Sequence, residues 1–210
     1  MKTSINFKIA VTLSLLFLFI TNASANQFLL NSDKYIIDER LQEKIFVIGN
    51  ELKSKTNVNV YVNVKSSYGI NEDLPMKEKF RLIKEQESNL IKNLKDPYVV
   101  LLLSLEDKHS NLLFSKNLAS IIDKDEILDD YVIPILASKD KNQLYTKASA
   151  AVLNGYAQIA DIIAEANNTK LESSIGSSGK VTSTVWKVFM YFLVITGLLA
   201  YAYAVLIKKK

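Results

Sequence analysis

A 210-residue chain without a single cysteine has no disulfides, no thiol nucleophile and no zinc site built on Cys. Its formal net charge of +4 comes from the ends. Lys2, Lys8, Lys187 and Lys208 to Lys210 lie outside residues 26–184, whereas all 22 acidic residues lie inside that range. The middle of the chain is therefore slightly acidic, and the sequence pI near 9.0 gives no reason to expect a nucleic-acid partner.

Residues 1–25 read as a secretory signal peptide: Lys2 and Lys8 give the positive start, 9–20 the short apolar run, and Ala23-Ser24-Ala25 the small-residue cleavage site. At the other end, 185–207 is apolar with one charge near its start, long enough to cross a bilayer with some tilt. Trp186 and Tyr191 stand where an interfacial aromatic belt belongs, and Lys208-Lys209-Lys210 follows as a short basic tail (208–210). Positive charge after the span and a signal before the domain predict one topology. The expected protein is single-pass in a bacterial inner membrane, with its soluble domain in the periplasm and its C-terminus in the cytoplasm.

The domain between them, 26–168, is large enough for a core of its own. Asp38 is a candidate cap for a first helix, on which Ile37, Leu41, Ile45, Ile48 and Leu52 form one apolar stripe at spacings of three and four. Residues 57–64 then alternate, with Val58, Val60, Val62 and Val64 on one face and Asn57, Asn59, Tyr61 and Asn63 on the other, which predicts a strand. A loop over 66–74 leads to Pro75 and a helix whose buried face is read as Met76, Phe80, Ile83, Leu90, Ile91 and Leu94, with Glu87 on the rim.

The apolar run at 98–103 predicts a strand covered by helices on both faces. A polar turn carrying Asp107 and His109 then leads to a second strand over 111–115. Residues 123–137 read as a helix that Pro134 kinks or ends, and 142–166 as a long last helix in which Gly155 marks a close approach by another element. Residues 169–184, rich in serine and glycine, read as a flexible tether. The order predicts an α/β fold, a small three-layer sandwich with a short mixed sheet flanked by helices, followed by a C-terminal transmembrane helix.

The run Leu101 to Lys108, the second short strand, Leu118-Ala119-Ser120-Ile121-Ile122-Asp123 and Tyr131-Val132-Ile133-Pro134 resemble the signature region of the TPM domain family. That family takes its name from a thylakoid-lumen protein, a photosystem repair protein and a nematode receptor modulator. The resemblance extends over roughly 30–165, and the plan of signal, domain, tether and single span is similar to that of bacterial members. The family's glycine-rich turn stands here as Ser115-Lys116-Asn117-Leu118-Ala119, lacking both glycines and the glutamate, so an activity built on that turn is in doubt.

Some relatives are described as divalent-metal-dependent acid phosphatases, and the resemblance carries a Ca2+ or Mg2+ site onto Asp107 and Asp123. The same two residues also read as a turn aspartate and a helix cap. His109, the only histidine, is a candidate general acid or base beside Asp107. Asn167-Asn168-Thr169, preceded by Glu165, resembles the extended acceptor of bacterial oligosaccharyltransferases and makes Asn167 a candidate glycosylation site. Three functions are expected: an accessory or quality-control factor for a membrane-protein partner, a metal-dependent phosphatase, or a cell-envelope scaffold. The bilayer is the expected partner of 185–207.

Overall fold

The computed structural model describes residues 26–33, 35–139, 143–174, 191–192 and 194–196. The signal peptide (1–25), the remainder of the tether and most of the expected span lie outside the described residues. Among the described residues, no helix is long and apolar enough to cross a membrane.

The elements follow the predicted order. Helix α1 (Glu39–Thr56) is capped by Asp38, whose carboxylate accepts the backbone N–H of Leu41 at 2.9 Å. Leu41, Ile45, Ile48 and Leu52 of its stripe are all buried. The helix ends at Asn57, which takes the left-handed conformation (φ 59°) and donates its N–H to Lys53 O. Strand β1 (Asn59–Lys65) therefore starts two residues later than the alternation suggested.

Helix α2 (Met76–Ile91) follows Pro75 and carries the chain over to β2 (Tyr98–Ser104), which pairs parallel to β1. Strand β3 (His109–Phe114) returns antiparallel to β2, so the sheet order is β1-β2-β3. On the outer side of β1 the N-terminal segment adds a short parallel pairing, with Leu30 N donating to Val62 O and Val62 N to Phe28 O, both at 2.8 Å.

After β3 come a 3-10 turn (Lys116–Leu118), α3 (Lys124–Glu126), a π-helical stretch (Ile127–Val132), α4 (Ile133–Leu136) and the long α5 (Leu144–Ala166). The expected break at Pro134 takes a definite form here. The π turn ends at Val132, so Pro134 falls in the first turn of the next helix, where its missing N–H costs nothing.

The main core lies between one sheet face and the helices α1 and α5. Val60, Val62 and Val64 of β1, Val99, Leu101 and Leu103 of β2, and Leu112 of β3 all contribute to it. A Cβ on Gly155 would sit 2.7 Å from Val132 and 3.1 Å from Leu101, so the close approach expected at this glycine is real. The opposite face, where Val100 and Leu102 are also fully buried, carries α2. Helix α2 departs from its expected face in two ways. Met76 and Phe80 stand 65% and 56% exposed, and only Ile83 and Glu87 are buried. Glu87 is thus a buried acid and not a rim residue.

The segment read as a tether begins docked to the body. Leu171 is buried, and the carboxylate of Glu51 accepts the backbone N–H groups of Glu172 and Ser173, each at 2.8 Å, together with the Ser173 hydroxyl. Lys55 completes the clip at 2.7 Å. Burial alone would raise the Glu51 pKa, but these donors outweigh it and bring the carboxyl down to about 2. A depressed folded-state pKa stabilises above the ordinary value of 4.5 and stops doing so as pH falls toward 2. Because the side chain keeps contact with solvent, screening limits the effect to about 1 kcal/mol. Glu51→Gln is expected to lower the unfolding free energy, read from urea transitions, by that amount at pH 7, and the difference should close progressively between pH 4.5 and pH 2.

Candidate functional site

Parallel strands in an open α/β sheet tend to place ligand sites beyond their carboxyl ends. Here β1 ends at Lys65 and β2 at Ser104, which are paired in register, and the loops after both strands meet. Asp107 joins them. Its Oδ2 accepts the Ser104 hydroxyl at 2.5 Å and the Tyr68 N–H at 2.7 Å, and its Oδ1 accepts the Ser67 hydroxyl at 3.2 Å.

His109 is the first residue of β3 and pairs with Ser104, so it belongs to a strand and not to the turn. Residues 109 and 111 point to the same side of the sheet, and both meet Glu87 from α2. The Glu87 carboxylate lies 2.8 Å from His109 Nε2 and accepts Asn111 Nδ2 at 2.8 Å, while its residue is only 5% exposed. The partner that orients His109 is therefore Glu87, where the sequence suggested Asp107. The Tyr68 ring lies 6.2 Å from the imidazole. Its hydroxyl is buried without a hydrogen-bond partner. Burial, followed by the charges of Glu87 and Asp107, pushes this phenol far above its ordinary ionisation range, so it stays neutral.

A cavity of about 200 Å³ opens between this sheet face and α2, lined by residues that include Asn63, Lys65, Tyr68, Glu87, Leu90 and Leu102. Lys65 is matched by Asp33 at 3.2 Å. Burial opposes ionisation of Asp33, but the Ser66 N–H and Lys65 prevail and hold its carboxyl below the usual range. Gln86 donates to Tyr68 O at 3.1 Å and so ties α2 to the loop after β1.

Asp123 stands elsewhere. Strand β3 carries the chain from the Asp107 turn to the other end of β2, where Phe114 pairs with Val99, and Asp123 follows as the exposed N-cap of α3. Its Oδ1 accepts the N–H groups of Asp125 and Glu126, each at 3.1 Å. Asp107 and Asp123 share no hydrogen-bonding partner, and among the described residues no group of three or more His, Asp or Glu side chains is placed to hold a metal ion. As arranged, these two carboxylates do not fit a common Ca2+ or Mg2+ site, which needs several converging oxygens. Asn167 is exposed at the C-terminus of α5, where its Nδ2 donates to Ile163 O at 2.8 Å.

No family model and no curated protein matches this chain. Among solved structures, it is similar to the NMR structure of the BA42 protein from the psychrophilic bacterium Bizionia argentinensis. The identity is 13%, the match covers 66% of this chain and 93% of that one, and the TM-score is 0.41.

Proposed function

We propose that this chain is a TPM-like extracytoplasmic domain, anchored in a bacterial inner membrane by 185–207, that acts as a non-catalytic accessory or quality-control factor for a membrane-protein partner. One observation carries this reading. Both carboxylates that a metal-dependent phosphatase would need are spent on building the fold, Asp107 as the knot between two loops and Asp123 as a helix cap. The terminal segments add to it, since attachment to the bilayer raises the effective concentration of the domain near a membrane partner and gives little to an enzyme of soluble metabolites.

The Glu51 clip also bears on the geometry. It fastens 171–173 beside the C-terminal turns of α1, at the end of the domain where β1 begins, whereas the cavity lies where β1 ends.

The test is phosphomonoester hydrolysis by the detergent-solubilised full-length chain with Ca2+, Mg2+ or chelator, beside the double variant Asp107→Asn/Asp123→Asn. The accessory reading expects no ion-dependent rate above that of the variant. Hydrolysis that requires the ion and disappears in the variant would overturn it in favour of the phosphatase.

A further inference from the structure

Helix α2 is attached to the body differently from the other long helices. Helix α1 sends Leu41, Ile45, Ile48 and Leu52 into the main core, and α5 sends Tyr156 and Ile159 among others. No residue of α2 belongs to that core. Along its inward stripe Met76 and Phe80 stay exposed, Leu90 is half-buried, and Ile83 is the one buried apolar side chain. The other buried position is Glu87, held by His109 and Asn111, and Gln86 adds a single bond to Tyr68 O.

Such an attachment is weak for identifiable reasons. A helix in a protein owes most of its stability to the packing of an apolar face, and α2 packs little of its own. Taking the Glu87 carboxylate out of water opposes docking, and its hydrogen bonds do little more than offset that cost. A swing of α2 away from the sheet would return the carboxylate to water. The cavity of about 200 Å³ between Leu90 and Leu102 also removes contacts that a fully packed helix would make. The entry to the helix is unrestrained: no side chain caps it after Pro75, and Gly69 in the preceding loop, at φ 70°, has open space around it.

We propose that α2 is a separable lid, which opens from the sheet as one unit while the core of α1, α5 and the sheet stays folded, and that Glu87 on His109 and Asn111 is its latch. Opening uncovers Val100 and Leu102, the apolar sheet surface that the closed body hides. The inference depends on packing alone and stands or falls independently of the accessory reading.

Amide hydrogen exchange of the full-length protein in detergent, resolved by residue and run where reclosing outpaces exchange, reads the lid directly. The interior amides of α2 (81–90) are expected to share one opening constant and to exchange about tenfold or more faster than the slowest amides of α5. Two variants separate opening of the lid from unfolding of the whole body. Tyr156→Phe weakens a core bond present whether the lid is open or closed, so it should speed the slowest α5 amides several-fold and leave α2 unchanged. Glu87→Gln weakens the closed form, so it should speed α2 by about tenfold. The comparison of α2 with α5 in the unaltered protein needs neither variant to fold. Equal protection of the two helices, protection of α2 that grades inward from its ends, equal acceleration of both by Tyr156→Phe, or unchanged α2 exchange in Glu87→Gln would overturn the proposal.

Discussion

Replacing Tyr156 by alanine is expected to destabilise the folded body by about 4 kcal/mol, the range for truncating a fully buried aromatic side chain. Tyr156 lies at 0% exposure on α5 and reaches across the core to donate its hydroxyl to Val60 O at 3.1 Å. It also stands against α1 so closely that Gly49 has no room for a side chain there, with Phe28 filling the other side at 2.7 Å from where a Cβ would be. One residue thus holds α5, α1, β1 and the N-terminal segment together. Tyr156→Phe keeps the ring and loses only the hydrogen bond, for which about 1 kcal/mol is expected. Urea unfolding followed by circular dichroism separates the two. A loss below 1 kcal/mol for the alanine variant would mean that the α5–sheet core is not built as described.

Glu87→Ala is expected to cost about 3 kcal/mol, because it strips a buried charge-assisted network and leaves His109 Nε2 and Asn111 Nδ2 without their acceptor. Its near neighbour Glu85 makes an internal control. Glu85 pairs with Arg81 at 3.3 Å on the open surface, so Glu85→Ala should stay within about 0.5 kcal/mol of wild type. The His109 resonance should move strongly in the first variant and not in the second. Equal, small effects would return Glu87 to the rim position that the helical pattern suggested.

The elements that were legible in the sequence are those set by local chemistry. The stripe on α1, the valine alternation of β1 and the Asp38 cap all depend on residues within a few positions of one another, and each is realised. Strand β1 starts at Asn59 and not at Asn57 because Asn57 ends the preceding helix, a use that alternation alone does not reveal. Pro134 announced a break, but not that a π turn would absorb it.

The candidate site was much less legible because its partners are distant in sequence. Glu87 meets residues 22 and 24 positions away, and nothing local reports such a contact. A signal did exist. Glu87 falls four residues after Ile83 and three before Leu90, in phase with the apolar stripe, and His109 and Asn111 are spaced for one face of a strand. An acid in phase with a buried stripe, opposite two donors in phase with each other, is a pattern that single-segment reading passes over. Asp107 and Asp123 show the converse: as carboxylates near strand and helix ends they invite a metal-site reading, but their partners are the backbone and hydroxyls around them.

The most direct test of the account is where a partner touches the domain in the native membrane. A photocrosslinking residue placed at Gln86, on the lip of the cavity, would be compared with one at Lys53 on α1, both exposed and both in the full-length chain expressed at its natural level. The account predicts one discrete membrane-protein adduct from position 86, absent from position 53. No adduct from position 86, or the same adducts from both positions, would contradict the claim that this face of the domain holds a membrane partner.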